Sequence, residues 1–260
     1  MKNHFGGLSD IMSMPVDYFI FIPAYNVANT LASVLQKIPE SVWNRAIALV
    51  IDDGSVDDTR GAFEDYVEGL DNDPVGTIKK SRLRYMRFEQ NHGYGSVVKK
   101  GVSEGLRSGA AYVACLHGDG QYPAEMLQDF FDHLKSNEAV LVQGSRHLNR
   151  GGAKAGNMPL YKRLGGTVLT SIENVAFKQK LTDRHSGFIV YSTDFLKKVN
   201  LEKLSPSFDI DLELISIADA RGLKLAELPI PTRYAGEKSN LKVVPYGLRV
   251  LRQVFRRLVA

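Results

Sequence analysis

The first 145 residues alternate between short apolar runs and longer segments whose apolar residues recur with helical spacing. The apolar runs that predict strands are residues 16–22, 46–51, 83–88, 112–116 and 139–144. The first helical segment places Leu31, Leu35 and Ile38 on one face and follows Asn29 and Thr30, which can cap a helix. Strands that alternate with single helices predict an α/β fold with parallel pairing and right-handed crossovers.

Polar turns follow four of these predicted strands. The turns are Tyr25-Asn26, Asp52-Asp53, Asn91 to Gly95 and His117 to Gln121. Because the carboxyl ends of parallel strands meet at one edge of a sheet, we expect the four turns to converge there. This convergence favours a functional site more strongly than any single turn does.

The fourth turn has the residue types of a cation site. The apolar run 112–116 stops at polar His117, Asp119 and Gln121, with glycines between them, and Pro123 then opens a helix. A carboxylate beside glycines, which allow close approach, suits a divalent ion that holds a diphosphate. A surface carboxylate in an ordinary strand-to-helix turn explains Asp119 equally well, so both interpretations stay open.

The regular alternation ends after Ser145. Residues 146–157 combine glycines with basic residues and are typical of a loop. The later segments predict a helix at 159–177, a loop and strand at 182–191, a helix at 209–221 and a strand at 224–228.

The last twenty residues predict a basic amphipathic helix. Its apolar positions are Val244, Leu248, Leu251, Val254, Phe255 and Leu258, and they alternate with Arg249, Arg252, Arg256 and Arg257. Such a helix lies on an anionic membrane surface or packs on its own domain. Packing is slightly favoured, because any surface helix carries an apolar stripe.

Composition and charge limit the kinds of ligand, disulfide and cellular location that we expect. The chain has 260 residues, 44% of them hydrophobic, a net charge of +4 and a pI of about 9.0. This mild excess fits anionic ligands but does not by itself argue for nucleic acid. The single cysteine, Cys115, excludes an internal disulfide framework. Without an apolar run long enough to span a membrane, or a secretion signal at the start, we expect a cytoplasmic protein, soluble or peripheral on the membrane.

Eight short pieces follow one another along the chain: Pro23-Ala24-Tyr25-Asn26, Asp52-Asp53-Gly54-Ser55, Asn91 through Gly95, Gly118-Asp119-Gly120-Gln121, Gly144-Ser145-Arg146, Asp183 through Phe188, Phe208 through Leu214, and Glu227-Leu228-Pro229-Ile230 with Arg233. With these pieces the chain resembles the family 2 glycosyltransferases of GT-A fold, and most closely the branch of dolichyl-phosphate mannose synthase and bacterial polyprenyl-phosphate glycosyltransferases. Each piece alone is weak, but their order and spacing are specific.

The resemblance covers about residues 16–240 and implies a Rossmann-like, mostly parallel sheet with helices on both faces. It implies one domain over 1–240, with a nucleotide-binding half at about 16–145 and an acceptor half at about 146–240. The basic helix 241–260 follows it.

The resemblance also implies transfer of a hexose from a UDP- or GDP-sugar with inversion, assisted by Mg²⁺ or Mn²⁺. A bound dication suits this chemistry, because negative charge develops on the departing diphosphate. The positions implied to bind the nucleotide sugar are Pro23, Tyr25, Asn26, Asp53, Ser55, Gly95 and Asp119. The positions implied at the metal are Asp119, Gln121 and His117.

Three residues depart from the family pattern. His117 replaces the first of two aspartates at the metal loop, so it either ligates a softer ion such as Mn²⁺ or only hydrogen-bonds the nucleotide. Val27 stands where many relatives carry an acidic residue. Tyr94 stands where a lysine is frequent, which weakens a phosphate-binding role for the third turn.

In the resembling branch the acceptor is a polyprenyl phosphate, which is already anionic and needs cations more than a strong base. Arg146, Arg163 and Arg233 are the implied phosphate ligands. A saccharide hydroxyl acceptor would instead need a carboxylate base. Asp211 and Asp183 match the family positions on the acceptor side, so the catalytic set is Asp119, Asp211, Arg146 and Asp183.

Two other functions stay open. One is a polysaccharide-assembling transferase that uses a saccharide acceptor. The other is a nucleotide-sugar binding module without turnover, in which the substitution by His117 has disabled the metal site.

Overall fold

The computed structural model describes residues 16–136, 138–148, 169–176 and 180–231, and positions 247, 250, 251, 254 and 255. Its centre is a seven-stranded sheet. The strands are β1 (Tyr18–Ala24), β2 (Ala46–Asp52), β3 (Leu83–Arg87), β4 (Tyr112–Cys115), β5 (Leu141–Ser145), β6 (Ile189–Ser192) and β7 (Leu225–Pro229). All five strands predicted before residue 145 are present.

The strand order in the sheet is β3-β2-β1-β4-β6-β5-β7. β1 pairs in parallel with both β2 and β4, and β2 pairs in parallel with β3. The predicted mostly parallel sheet is confirmed, with one exception: β6 enters between β4 and β5 and runs antiparallel to both. β5 therefore still points in the same direction as β4, and its carboxyl end reaches the same edge of the sheet.

Helices cover both faces of the sheet. They are α1 (Leu31–Lys37), α2 (Glu40–Trp43), α3 (Thr59–Glu68), α4 (Pro74–Arg82), α5 (Tyr94–Arg107), α6 (Leu127–Ser136), α7 (residues 169–176), α8 (Thr193–Leu196) and α9 (Ile210–Ala220). The sequence patterns did not predict α2 and α4. α4 is short and mostly polar, and it begins where the Asp73 carboxylate accepts a hydrogen bond from the Gly76 N–H at 2.7 Å.

The core has two layers, one on each face of the sheet. In β1, Tyr18, Ile20 and Ile22 belong to the layer under α1 and α6, whereas Phe19 and Phe21 belong to the layer under α5 and α9. A strand buried on both faces is apolar throughout, and this explains the unbroken hydrophobic runs of the sequence.

The predicted helix 159–177 is described only over α7, and the tail only at five helical positions. Among those, Val250 and Val254 are buried, whereas Leu251 and Phe255 are 44% and 65% exposed. None of the helices in the described part of the chain is long and apolar enough to cross a membrane.

Candidate active site

A cavity of about 400 Å³ opens at the carboxyl ends of β1, β2 and β4. It is lined by Pro23, Ala24, Tyr25, Val27, Asp53, Asn91, Gly93, Tyr94, Val97, His117, Asp119 and Phe208. The four predicted turns thus meet around one cavity.

Asp53 is the acidic residue on one side of this cavity. Its two carboxylate oxygens accept hydrogen bonds from the backbone N–H groups of His92 and Gly93, at 2.7 and 2.9 Å. Its own N–H donates to the Ala24 carbonyl oxygen at 2.8 Å. Asp53 therefore joins the turns after β1, β2 and β3 and fixes their relative positions.

Asn26 and Ser55 support the same turns from behind. Asn26 has a φ of +56°, which asparagine tolerates, and its Oδ1 accepts from the Val56 N–H at 2.8 Å. The Ser55 hydroxyl donates to buried Asp52 at 2.6 Å and accepts from the Asn26 N–H at 2.9 Å. Neither side chain lines the cavity, so both residues act on it through the loops that they hold.

Gly95 is required by a close approach of two backbone segments. A Cβ at this position would lie 2.4 Å from the carbonyl carbon of Pro206 and 2.5 Å from the oxygen of Ser205. The Gly95 N–H donates to the Pro206 carbonyl oxygen at 3.1 Å. The contact brings in Phe208, whose ring stacks on Tyr94 with centroids 5.3 Å apart.

The loop after β4 is held on both sides. The Gly118 N–H donates to the Pro23 carbonyl oxygen at 3.0 Å, and the Gly118 carbonyl oxygen accepts from the Thr30 hydroxyl at 2.8 Å. Thr30 was predicted to cap α1, but its side chain makes no capping bond there. Its hydroxyl bonds the loop instead.

The residues of this loop suit a divalent cation. One oxygen of Asp119 accepts from the Gln121 N–H at 3.0 Å, which leaves its second oxygen for a ligand. His117 lines the same cavity, and no described residue bonds its Nδ1. The described residues contain no group of three or more His, Cys, Asp and Glu side chains able to hold a metal ion by themselves. The donor set thus fits an ion that also binds a diphosphate and water.

Asp211 lies beneath the cavity. The residue is 8% exposed, and its carboxylate accepts a hydrogen bond from the Tyr94 hydroxyl at 2.8 Å. Burial raises the pKa of Asp211 to about 7, although the hydroxyls of Tyr94 and Tyr191 act in the opposite direction. Asp211 does not itself line the cavity. Its position suits an indirect role better than that of a base on the acceptor.

Arg146 and Asp183 form a largely buried ion pair, and neither residue lines the cavity. The Arg146 Nε and Nη2 atoms lie 2.7 and 2.9 Å from the two Asp183 oxygens, and Nη2 also donates to the His185 carbonyl oxygen at 3.1 Å. Burial alone would raise the pKa of Asp183, but the charge and hydrogen bonds of Arg146 outweigh it and lower this pKa to about 2. Such a carboxylate is a poor base.

The other predicted phosphate ligands, Arg163 and Arg233, lie outside the described residues. Val97 lines the cavity and was not singled out from the sequence. Phe208 opens one of the runs that carry the family resemblance but was assigned no role. It precedes α9 and lies far along the chain from the four turns, so no local pattern connects it with them.

The sequence also matches a known family. Residues 19–199, more than half of the chain, match the profile of Glycosyl transferase family 2. The chain belongs to this family. It is therefore a glycosyltransferase, as the motifs from Pro23 to Ile230 indicated.

Named relatives of the glycosyltransferase act on dolichyl phosphate. The UDP-N-acetylglucosamine–dolichyl-phosphate N-acetylglucosaminyltransferase of Methanococcus voltae is 26% identical over 83% of this chain and 85% of its own length. A dolichyl-phosphate beta-glucosyltransferase of Trichomonas vaginalis is 24% identical over 85% of this chain and 65% of its own length.

Solved structures share the fold of the glycosyltransferase. The glucosyl-3-phosphoglycerate synthase of Mycobacterium tuberculosis, crystallised with UDP, has a TM-score of 0.64 and 16% identity, over 100% of this chain and 87% of that chain. The same enzyme with Mn²⁺, UDP and glucosyl-3-phosphoglycerate has a TM-score of 0.64 and 15% identity, over 100% and 86%. The predicted GT-A fold is confirmed.

Proposed function

We propose that this glycosyltransferase moves a hexose from a UDP- or GDP-sugar to a polyprenyl phosphate, with inversion and with the help of Mg²⁺ or Mn²⁺. The observation that carries the proposal is the single cavity that contains Asp53 on one side and the Asp119 loop on the other. Its volume of about 400 Å³ suits a small-molecule ligand.

The nucleoside would bind at the Asp53 side. Pro23 and Tyr25 line this part, and Tyr25 is 37% exposed, so its ring is available to a nucleobase. Because backbone N–H groups fix both oxygens of Asp53, the carboxylate is preorganised to meet the base or ribose.

The diphosphate would lie beside Asp119 and His117, which would hold the divalent ion. When bound, such an ion stabilises the negative charge that develops on the leaving diphosphate. Gln121 contributes its backbone N–H to Asp119 and so orients that ligand.

The carboxylates that line the cavity support inversion. A retaining reaction by double displacement needs a carboxylate nucleophile. Of the two acidic residues that line the cavity, Asp53 is bound to two backbone N–H groups, and Asp119 is assigned to the metal. Direct attack by the acceptor, which inverts the anomeric carbon, fits this arrangement.

Among the described residues of the site, few carboxylates suit the role of a base on the acceptor. A phosphate acceptor fits this arrangement, because the attacking phosphate oxygen is already an anion at neutral pH. Neither Asp183, with its low pKa, nor buried Asp211 is well suited to deprotonate a sugar hydroxyl. The names of the relatives from Methanococcus voltae and Trichomonas vaginalis support dolichyl phosphate or a similar lipid. Arg163 and Arg233 are the proposed cations for its phosphate, and Arg146 holds the Asp183 loop.

A lipid acceptor requires access to a membrane surface. We place this contact at the exposed side of the tail, where Leu251 and Phe255 are accessible while Val250 and Val254 are buried. Nearby arginines of the tail would add attraction to anionic lipid. Peripheral attachment at the cytoplasmic face follows from this proposal.

The test is a transfer assay with labelled UDP- and GDP-sugars, Mn²⁺ or Mg²⁺ and a polyprenyl phosphate in detergent. We expect label in the butanol-extractable lipid with one donor, and none with Asp119→Asn. Asp132→Asn, a change of the same kind at a side chain that is 60% exposed on α6, is the control. Label that appears only on a saccharide acceptor would replace the lipid proposal. Nucleotide binding without any transfer or donor hydrolysis would favour a binding module.

A further inference from the structure

His117 is enclosed by three neighbours that determine which of its nitrogens is used. Its Nε2 lies 3.1 Å from the Tyr94 hydroxyl oxygen. Its ring meets the edge of Tyr122 with centroids 4.9 Å apart. A Cβ on Gly187 would come within 2.6 Å of Nε2, so glycine is the residue that leaves space for the imidazole. Nε2 therefore points into the protein, towards Tyr94.

The hydroxyl of Tyr94 connects His117 with Asp211. The same oxygen lies 2.8 Å from Asp211 Oδ2 and 3.6 Å from Cys115 Sγ. The phenol of a tyrosine keeps its proton at neutral pH. A hydroxyl has one proton to donate and two lone pairs that accept. Above the Asp211 pKa of about 7 the carboxylate is ionised and only accepts, so the Tyr94 proton is then directed to Asp211.

The direction of the second hydrogen bond follows. Since the Tyr94 proton is committed to Asp211, the bond between Tyr94 and His117 forms only if Nε2 carries a proton and donates it. A neutral imidazole protonated at Nε2 has its lone pair on Nδ1.

We propose that Tyr94 and Asp211 are positioning residues that keep the proton of His117 on Nε2, so that Nδ1 is the atom that ligates the cation or accepts a hydrogen bond from its water. Asp211 thus acts on the donor site through Tyr94. The inference depends on the proposed function only in taking the ligand of His117 to be a divalent cation or its water.

The first measurement is the tautomer of His117 in the protein without nucleotide or metal. Two-bond ¹H–¹⁵N correlation spectra of histidine-labelled protein, at a pH of about 9 where Asp211 with its pKa of about 7 is ionised, distinguish the two neutral forms. The His117 signals are assigned by their loss in His117→Gln. We expect the Nε2–H form and a slowly exchanging Nε2 proton. A proton on Nδ1 would overturn the inference.

Two variants test the chain of hydrogen bonds. Asp211→Leu removes the acceptor of the Tyr94 proton, so Tyr94 should donate to His117 and move the imidazole proton to Nδ1. Tyr94→Phe keeps the stacking on Phe208 but should make the Nε2 proton exchange fast. Tyr122→Phe is the matched control, because it removes a hydroxyl beside the same imidazole that bonds the Gly187 N–H at 2.9 Å and not His117. If Tyr94→Phe leaves both tautomer and exchange unchanged, the inference is wrong, whether or not Asp211→Leu folds.

The second measurement is the binding of UDP by calorimetry with and without Mn²⁺. We expect Tyr94→Phe to weaken the Mn²⁺-dependent part of UDP binding by about tenfold, as partners of metal ligands commonly do, and to weaken metal-free binding by much less. Equal weakening with and without Mn²⁺ would contradict the inference. A protein with the expected tautomer that binds no nucleotide diphosphate would contradict the proposed function and leave the inference on His117 intact.

Discussion

The hydroxyl of Thr30, at the start of α1, donates a 2.8 Å hydrogen bond to the carbonyl oxygen of Gly118 in the loop after β4. The two residues are 88 positions apart in the chain. Because the Gly118 N–H donates to the Pro23 carbonyl oxygen, both backbone polar groups of Gly118 are hydrogen-bonded. The position of Asp119, which follows it, therefore depends on α1 and β1.

Thr30→Val is expected to loosen this loop. The change removes one hydrogen bond, worth about 1 kcal/mol, and leaves the Gly118 carbonyl oxygen without its partner. We expect weaker binding of UDP in the presence of Mn²⁺, by roughly fivefold, with little change without the metal. Calorimetry measures both. Thr30→Ser keeps the hydroxyl and is the control, and an equal loss in both variants would show that the hydrogen bond is not responsible.

Gly95→Ala is expected to displace the segment 205–207. The added Cβ would lie 2.4 Å from the Pro206 carbonyl carbon, so the backbone has to move, at a cost of about 1–3 kcal/mol. The movement should also disturb Phe208 and raise the dissociation constant for the nucleotide. Thermal unfolding and a binding titration test the two effects.

The control is Gly69→Ala, where a Cβ would lie 3.2 Å from the nearest backbone oxygen and φ is −73°. We expect its stability to remain within about 0.5 kcal/mol of the parent protein. Similar melting temperatures for the two alanine variants would mean that a Cβ at position 95 fits beside Pro206 without destabilising the protein.

Because Glu173 in α7 is a buried carboxyl group, we expect the free energy of unfolding of the protein to depend on pH. Its side chain is fully buried 3.4 Å from His185 Nε2, and burial raises its pKa from 4.5 to about 7. Because the folded pKa is the higher one, the contribution of this group is fully present below pH 4.5 and is lost as the pH rises through about 7. In Glu173→Gln, the amide side chain at this position does not titrate.

Relative to the parent protein, Glu173→Gln should therefore gain stability between about pH 5 and pH 8, by roughly 2–3 kcal/mol. Melting temperatures at several pH values check this, with Glu68→Gln on the exposed side of α3 as the control for loss of a charge. A constant difference between Glu173→Gln and the parent across this range would be evidence against a buried, titrating carboxyl.

The tail offers a comparison within one helix. Serine at both Leu251 and Phe255, which are exposed, should weaken binding to anionic vesicles by tenfold or more and leave the melting temperature unchanged. Serine at both Val250 and Val254, which are buried, should lower stability by about 1–3 kcal/mol per site. Vesicle co-sedimentation and thermal unfolding separate the two. If the first pair affects stability instead, these side chains serve packing and the proposed membrane contact is wrong.

The sequence predicts the parts of this fold that depend on local pattern. Five strands follow from the apolar runs, and the meeting of four turns follows from the parallel arrangement of these strands. The cavity between Asp53 and Asp119 agrees with the predicted meeting of the turns. The insertion of β6 between β4 and β5 depends on pairing between distant segments, which no local period records.

The same limit applies to the site. His117 and Tyr94 were noticed as departures from the family pattern, but their contact depends on how the loop after β4 meets the start of α5. The pairing of Arg146 with Asp183 is likewise a contact across 37 positions, and it changes the expected role of both residues. The residue types indicated the chemistry of the site, whereas the hydrogen-bond and ion-pair partners of these residues became known only from the fold.

The place of β6 in the sheet also has a consequence for how the protein is made. Among the strands that the structure describes, β5 pairs with β6 and β7, and both are synthesised after it. Until residue 192 has left the ribosome, β4 therefore presents an unpaired edge that invites association with other chains. A chain interrupted after residue 145 should accumulate as aggregate, which sedimentation would detect, and a nascent chain would depend on chaperones up to that point.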